Sequence, residues 1–155
     1  MTDDLDRIMH VMACAFDPVW GEAWNRRQVS DSLLMPNIHY RLCNPEGLKP
    51  ATDDTTAGFT LIRAAPGEEE LLLIAVDPAY RGRGVGKALL KGFMRDAYQR
   101  GASRIFLEMR ANNPAEKLYR SVGFEPIGRR ENYYRAPGDT RIDAITFGLD
   151  LDKLA

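Results

Sequence analysis

The shortages in this chain of 155 residues narrow its possibilities first. It has only two cysteines, Cys14 and Cys43, and only two histidines, His10 and His39. Two cysteines are too few for a disulfide scaffold, and their separation fits neither a metal-binding nor a redox motif, so both read as reduced, half-buried thiols. No metal is expected. No apolar run approaches the length of a membrane span. The acidic start, Thr2-Asp3-Asp4, lacks the positive charge of a signal peptide. A cytoplasmic protein with no membrane partner is the expectation. The net charge of −1 excludes a global basic field, so no direct nucleic-acid partner is expected either. Repeats and low-complexity tracts are also missing. With 45% hydrophobic and 28% charged residues, the composition is that of a globular protein. The length suits one domain spanning 1–155.

The hydrophobic pattern gives the elements. Leu5, Ile8, Met9, Met12 and Ala15 recur at helical spacing and predict a helix over 4–15, capped by Asp3 or Asp4. A second helix starts at Asn25, where Gln28 completes a capping box and Trp24 can staple to Val29, and it stops before Pro36. Strands are predicted over 38–43 and 58–64, with an exposed turn over 44–57. Residues 70–76, ELLLIAV, form a nearly unbroken apolar run, as in a strand covered on both faces. A helix over 85–100 follows, with Val85, Leu89, Phe93 and Ala97 on one stripe and Gly101 as its stop. The sequence then predicts a strand over 104–110, a short helix over 114–121 and strands over 124–134 and 141–149. Two helices, three strands, helix, strand, helix and two strands make an α/β domain in the broad, mixed sense.

Between the apolar strand and the long helix lies Arg81-Gly82-Arg83-Gly84-Val85-Gly86-Lys87. Glycines permit a tight turn and close approach of a ligand, and a helix start offers unpaired N–H groups. Three cations add charge suited to a phosphate or pyrophosphate. A Walker A loop is excluded because Ala88 follows Gly86-Lys87 and Arg81 occupies the first glycine position. A dinucleotide fingerprint is excluded because neither Gly82-x-Gly84 nor Gly84-x-Gly86 is completed by a third glycine. Taken alone, the loop fits a capped turn with solvated arginines equally well.

Its setting is more specific. Arg81-x-x-Gly84-x-Gly86 after an apolar strand resembles the acetyl-CoA pyrophosphate motif of the GNAT superfamily of N-acetyltransferases. Residues 74–78 (IAVDP), 106–113 (FLEMRANN), 118–124 (LYRSVGF), 128–134 (GRRENYY) and Asp143-Ala144 resemble its RimI-type branch, the ribosomal-protein-alanine N-acetyltransferases. The resemblance runs from about Glu70 to Phe147 and is weak before that. The chain departs from the pattern in three places. It starts almost directly at a helix, Leu73 replaces a common asparagine, and residues 21–23 look like a small insertion.

The resemblance implies a GNAT-like central mixed, mostly antiparallel sheet flanked by helices and splayed between the strands carrying Ile74 and Glu108. It implies acetyl-CoA as co-substrate, with the pyrophosphate on Arg81, Gly82, Arg83, Gly84, Val85, Gly86 and Lys87. The pantetheine arm would lie along the backbone of Ile74, Ala75 and Val76 and touch Asn113, whose plainer role is a helix cap. Glu108 would be the general base, and desolvation in its apolar strand would suit it to that task. Its alternative is an ion pair with Arg104 or Arg110. Tyr119 would protonate the departing sulfur; its alternative is a core tyrosine. Tyr133, Tyr134 and Trp24 would line the acceptor site, although plain packing fits Trp24 at least as well. No cysteine–histidine motif supports a covalent intermediate, so direct attack in a ternary complex is expected. The implied acceptor is the α-amino group of a protein or peptide, possibly a ribosomal protein starting with alanine. A small-molecule amine is the alternative, and a non-catalytic acyl-CoA-binding module is a further one. A monomer or weak dimer is expected.

Overall fold

The computed structural model describes residues 3–152. The elements are α1 (Asp4–Ala15), α2 (Arg26–Leu33), β1 (Ile38–Cys43), β2 (Gly58–Ala65), β3 (Glu68–Val76), α3 (Val85–Gln99), β4 (Arg104–Arg110), α4 (Glu116–Ser121), β5 (Glu125–Arg135) and β6 (Arg141–Asp150). The order is the one the hydrophobic pattern predicts. Local chemistry explains several boundaries. Asp3, one of the two candidate caps, accepts from the Asp6 N–H. The capping box is formed, with Asn25 and Gln28 each bonding the other's backbone N–H at 2.8 Å.

The six strands form one sheet in the order β1-β2-β3-β4-β6-β5. Every neighbouring pair is antiparallel except β3 and β4, which are joined through α3. That parallel pair is brief: Glu68, Glu69 and Glu70 face Arg104, Ile105 and Phe106, and the pairing ends there. β3 continues to Val76 and β4 to Arg110, so the sheet opens into a splay between them. The expected splay between the strands carrying Ile74 and Glu108 is therefore present.

A bulge makes β3 serve two layers. Leu61 faces Leu73 and Ile62 faces Leu71, leaving Leu72 without a partner. Leu71 belongs to the cluster containing Leu90, Phe93 and Ala97 of α3. Leu73 and Ala75 belong to the other cluster, with Ile8, Val11 and Met12 of α1 and Val29 of α2. The strand is covered on both faces, as its apolar run predicts. The Val85, Leu89, Phe93 and Ala97 stripe is wholly buried.

Some expectations change. The β1–β2 connection is not simply exposed. Asn44, Thr56 and Ala57 are buried, and the Asn44 side-chain oxygen accepts from the N–H groups of Glu46 and Leu48. Arg7 of α1 donates to the carbonyls of Ala51 and Thr52, holding the loop against the helix. The thiols are not alike: Cys14 is exposed and Cys43 is buried. The short helix begins at Glu116 rather than Pro114, because Asn113 and Pro114 are used in the turn before it. No helix among the described residues is long and apolar enough to cross a membrane.

The closed end of the splay is pinned by charge. Glu69, 2% exposed, takes two hydrogen bonds from Arg100, at 2.6 and 2.9 Å. Breaking a buried pair leaves an unpaired charge, whereas replacing both partners by apolar groups does not. Arg100→Ala should lower stability by about 3 kcal/mol, the low end of the range for such losses because Arg100 is partly exposed. The double replacement Glu69→Leu with Arg100→Met should recover much of it. Urea unfolding checks both, and a loss under about 1 kcal/mol for Arg100→Ala would show that the pair holds nothing.

Candidate active site

The Gly-rich loop lies at the open end of the splay. After β3, a short 3-10 turn (Pro78–Tyr80) leads into it, capped by Asp77. Gly82 and Gly84 have φ of 78° and 82°, a left-handed conformation that side chains strain to adopt. A Cβ on either would meet no atom within 4 Å, so both face open space. α3 starts without a side-chain cap, and its first intrahelical bond runs from the Ala88 N–H to the Gly84 carbonyl at 2.9 Å. The N–H groups before Ala88 are those a helix start leaves for an anion.

The other loop residues divide the work. Val85 is 1% exposed, and its side chain packs with Cys43, Ala57 and Leu89, which leaves only its backbone for a ligand. Gly86 is small for a different reason from the one expected: a Cβ there would lie 2.9 Å from Leu118 of α4. Arg81 does not point at the loop's ligand space. Its guanidinium donates to the Ala15 carbonyl at 3.0 Å and ties the loop to the end of α1. Arg83 lies over the Tyr80 ring at 5.4 Å, and Lys87 is exposed.

Past Glu70, the edge of β3 that faces β4 has no strand partner. Ile74, Ala75 and Val76 pair on their other side with Thr60, Phe59 and Gly58. Backbone donors and acceptors on the open edge are thus available to an extended ligand. Asn113 stands across the splay, beyond β4. Its side-chain oxygen accepts from the Ala115 N–H at 2.9 Å, so it shapes the turn as an Asx cap and is not the N-cap of α4. These features fit a pyrophosphate-bearing cofactor with an extended arm: an open glycine cradle, free helix N–H groups and an unpaired strand edge.

Glu108 of β4 is one-fifth exposed and pairs with Arg130 of β5, Nε to Oε2 at 3.2 Å. Neither of the arginines considered from sequence is its partner: Arg104 pairs with Asp150 and Arg110 with Glu22. Because Arg130 is well exposed, the pair is solvent-screened and readily opened. Tyr119 of α4 is 6% exposed and wedged against Phe124 and Phe147, with ring centroids 6.1 and 6.5 Å away. Burial first, and then the negative charge of Glu22, push its phenol well above the ordinary tyrosine value. It stays protonated at any pH where the protein works, the state a proton donor needs.

Tyr133 and Tyr134 meet edge to face at 5.2 Å, with Arg130 over the Tyr133 ring at 4.9 Å. Tyr134 is raised to about 12 by burial and then by Glu108 and Glu22. Trp24 is half-buried and packs against the cluster of Ile8, Val11 and Val29, the plain packing weighed for it from sequence. Trp20, also half-buried, has its ring 3.9 Å from the Arg110 guanidinium. Arg110 also lies 3.5 Å from Glu22. Through these two contacts, the small insertion at 21–23 is drawn over the splay. Sequence reasoning missed Arg130 and Glu22 as residues of the site, and it weighed Arg110 only as a partner of Glu108. A carboxylate in an apparent insertion was the one available signal.

The hairpin that presents the tyrosines is shaped by Asp143. Arg130 faces Ala144 and Tyr134 faces Ile142, so β5 bulges between them, with Asn132 at φ 53°. Asp143 accepts from the Asn132 N–H at 2.9 Å and from Arg129 at 2.5 Å. These bonds, the backbone one first, hold its carboxyl below the usual aspartate range. A depressed pKa means the carboxylate steadies the bulge at neutral pH and releases it as pH falls below the ordinary aspartate value of about 3.9. Carbonyl-detected NMR should find the Asp143 midpoint below about 3.9, shifted upward in Arg129→Ala. An ordinary midpoint unmoved by that substitution would show that the hairpin does not depend on it.

Comparison with known proteins agrees with this geometry. The model of the "Acetyltransferase (GNAT) family" matches residues 5–124. The "[Ribosomal protein bS18]-alanine N-acetyltransferase" of Haemophilus ducreyi is 38% identical over 124 residues, 76% of this chain and 86% of the relative. The "N-alpha-acetyltransferase RimI" of Mycobacterium tuberculosis is 36% identical over 137 residues, covering 85% and 78%. The crystal structure of the ribosomal-protein-S18-alanine N-acetyltransferase from Escherichia coli superposes with a TM-score of 0.78 at 30% identity, covering 97% of this chain and 90% of that one. An unpaired strand edge beside a glycine cradle, a carboxylate on the facing strand, and this similarity over most of the chain lead to one conclusion: the chain is an N-acetyltransferase of the GNAT family.

Proposed function

We propose that this chain transfers the acetyl group of acetyl-CoA to the α-amino group of a protein, with an N-terminal alanine on a ribosomal protein as the preferred acceptor. The observation that carries the reading is the open edge of β3 beside the glycine cradle, with Glu108 on the facing strand and close enough to Tyr134 for its charge to act there. Tyr119 of α4 is assigned to the same space on the family resemblance. The names of the relatives above support the acceptor. A soluble cytoplasmic setting and a monomer or weak dimer are part of the same reading.

Gly82, Gly84 and the N–H groups at the start of α3 would hold the pyrophosphate, with Lys87 nearby. The open edge of β3 at Ile74–Val76 and the Asn113 amide would hold the pantetheine arm. Acetyl-CoA supplies the acetyl group as a reactive thioester. Glu108 takes a proton from the attacking amine, directly or through water. That demand is modest, because a free α-amino group has a pKa of about 7.7–8.0. A backbone N–H of the β3 edge steadies negative charge as it develops on the carbonyl oxygen. Tyr119 gives its proton to the leaving sulfur, and the proton shed as the nitrogen becomes an amide restores the phenol. Glu108 returns the proton it took from the ammonium form to solvent, so ammonium and thioester end as amide, thiol and one released proton.

Glu108→Gln and Tyr119→Phe each keep the volume of the side chain and remove one proton-transfer group. Each should lower kcat by about 10²–10⁴ while leaving acetyl-CoA binding nearly intact. Calorimetry with acetyl-CoA and steady-state kinetics separate the two effects. Full activity in either variant would reduce that residue to a structural one.

The acceptor is tested by offering Ala-, Ser- and Met-initiated peptides beside free lysine, spermidine and an aminoglycoside. Peptides beginning with alanine should win by kcat/KM, and shortening them should lower kcat as well as raise KM. A small amine that beats every peptide would overturn the acceptor and leave the cofactor chemistry standing. That outcome has a precedent in the fold: nourseothricin acetyltransferase superposes with a TM-score of 0.62 at 27% identity over 75% of this chain.

A further inference from the structure

His10 and Cys14 are four residues apart on α1, so they share one face of the helix. The acetyl transfer described above uses neither. Asp77, the first residue past β3, lies beside them. The ligand-bearing atoms of His10, Cys14 and Asp77 all fall within 4.8 Å of one another, and His10 Nε2 is 4.0 Å from Asp77 Oδ2. The Asp77 carboxylate is already oriented. Its Oδ1 accepts from the Ala79 N–H at 3.0 Å, and its own N–H donates to the Ala57 carbonyl at 2.7 Å. Only 14% of its side chain is exposed, and Oδ2 is left facing the helix.

We propose that His10, Cys14 and Asp77 form a binding site for a divalent transition-metal ion of the zinc class. One imidazole nitrogen, one thiolate and one carboxylate oxygen are the donors that Zn²⁺ prefers; an all-oxygen set would suit Mg²⁺ or Ca²⁺ instead. In a tetrahedral site, bonds of about 2.0–2.3 Å put ligand atoms roughly 3.3–3.8 Å apart. The three side chains need to close by about 1.5 Å at most to reach that spacing. The two that must move, His10 and Cys14, are exposed and free to rotate, while the held Asp77 serves as the fixed point. Further negative charge surrounds the site. Asp6, Asp53 and Asp54 share an open hollow with His10, and Cys14 sits in the last turn of α1, at the negative end of the helix dipole. Arg7, in the same hollow, and Arg81, bound to the Ala15 carbonyl, are nearby opposing charges. Binding releases the Cys14 thiol proton to solvent and forms the three metal–ligand bonds, with water completing the fourth position.

The site would join α1 to the turn from which the Gly-rich loop departs. Asp77 precedes Arg81 by four residues, and Arg81 already links that loop to the same end of α1. An ion held here therefore fixes the same junction by a second, stronger bond. The sequence spacing hides this, since two ligands are close together on a helix and the third arrives through the sheet.

The test uses tag-free, full-length protein under a non-chelating reductant, with Co²⁺ as the optical probe and Zn²⁺ as competitor. One Co²⁺ per chain should bind with tetrahedral ligand-field bands and a thiolate charge-transfer band, and Zn²⁺ should displace it. Cys14→Ser should abolish the charge-transfer band. His10→Ala and Asp77→Asn, the latter keeping the cap on Ala79, should each weaken Zn²⁺ by at least about tenfold. Cys43→Ser and His39→Ala should leave it unchanged. Zn²⁺ should also raise the melting temperature of the wild type and not that of Cys14→Ser. An octahedral Co²⁺ spectrum without charge transfer, or equal Zn²⁺ affinity in wild type, Cys14→Ser and His10→Ala, would overturn the site. These readouts do not depend on acetyl transfer.

Discussion

Three residue pairs between β3 and β4 decide everything that follows in this molecule. Each strand is paired on its outer side, β3 by β2 except at the Leu72 bulge and β4 by β6 along its whole length. On the inner side, pairing stops at Glu70 and Phe106. Unpaired backbone groups facing each other inside a sheet are costly unless water or a ligand meets them. The splay is therefore an edge that a protein would ordinarily pair, kept open at a stated place. Glu69 and Arg100 hold the closed end, where the last turn of α3 is pinned to the first residues of β3. The bulge at Leu72 lets the far half of β3 seat Leu73 and Ala75 against α1 while Ile74 still packs toward α3.

The walls of that opening carry an uneven charge. Glu108 and Glu22 are both carboxylates, and their negative charges raise Tyr134 together. Arg130 and Arg110 answer them singly. The two pairs differ physically. Arg130 is exposed, so its bond with Glu108 is easily exchanged for water or substrate. Arg110 is buried, stacked under Trp20, and its Nε has no hydrogen-bond partner although Glu22 is 3.5 Å away. The unsatisfied Nε is a cost of burying Arg110, offset by the charge of Glu22, the stacking on Trp20 and a bond to Asn112 Oδ1 at 2.8 Å. Glu108 is thus held by an exposed contact that opens readily, and the 16–25 loop by a buried one.

The elements were legible in the sequence because their signals are local. Asn25 with Gln28, the Val85-to-Ala97 stripe and the apolar run before Asp77 each lie within one element. The glycine loop was legible because Gly82 and Gly84 occupy a backbone region that excludes other residues. What stayed hidden depends on residues brought together from afar. The partner of Glu108 comes from β5, past Arg104 and Arg110 on its own strand. The tryptophan that stacks on Arg110 is Trp20, while beyond the turn at Gly21 Trp24 packs against the cluster of α1 and α2. The role of Gly86 follows from Leu118, more than thirty residues away, and the helix start at Glu116 from a turn that Asn113 builds.

That division has a functional consequence. The parts assigned to the cofactor are consecutive: the end of β3, the loop and the start of α3, all inside the 5–124 stretch that matches the family. The parts proposed to face the acceptor are scattered over the α1–α2 loop, the end of β4 and the β5–β6 hairpin, and the hairpin lies beyond that stretch. Its shape rests on Asp143 alone reaching both Arg129 and Asn132, and the opposite rim rests on Glu22 and Trp20 reaching Arg110. Neither contact touches the glycine loop or the open edge of β3. Changes at Glu22 or Asp143 can thus reshape the space above Glu108 without disturbing the groups below it. A fold arranged this way keeps one donor chemistry while its acceptor changes, which is why likeness in the loop says more about the acetyl group than about the amine that receives it.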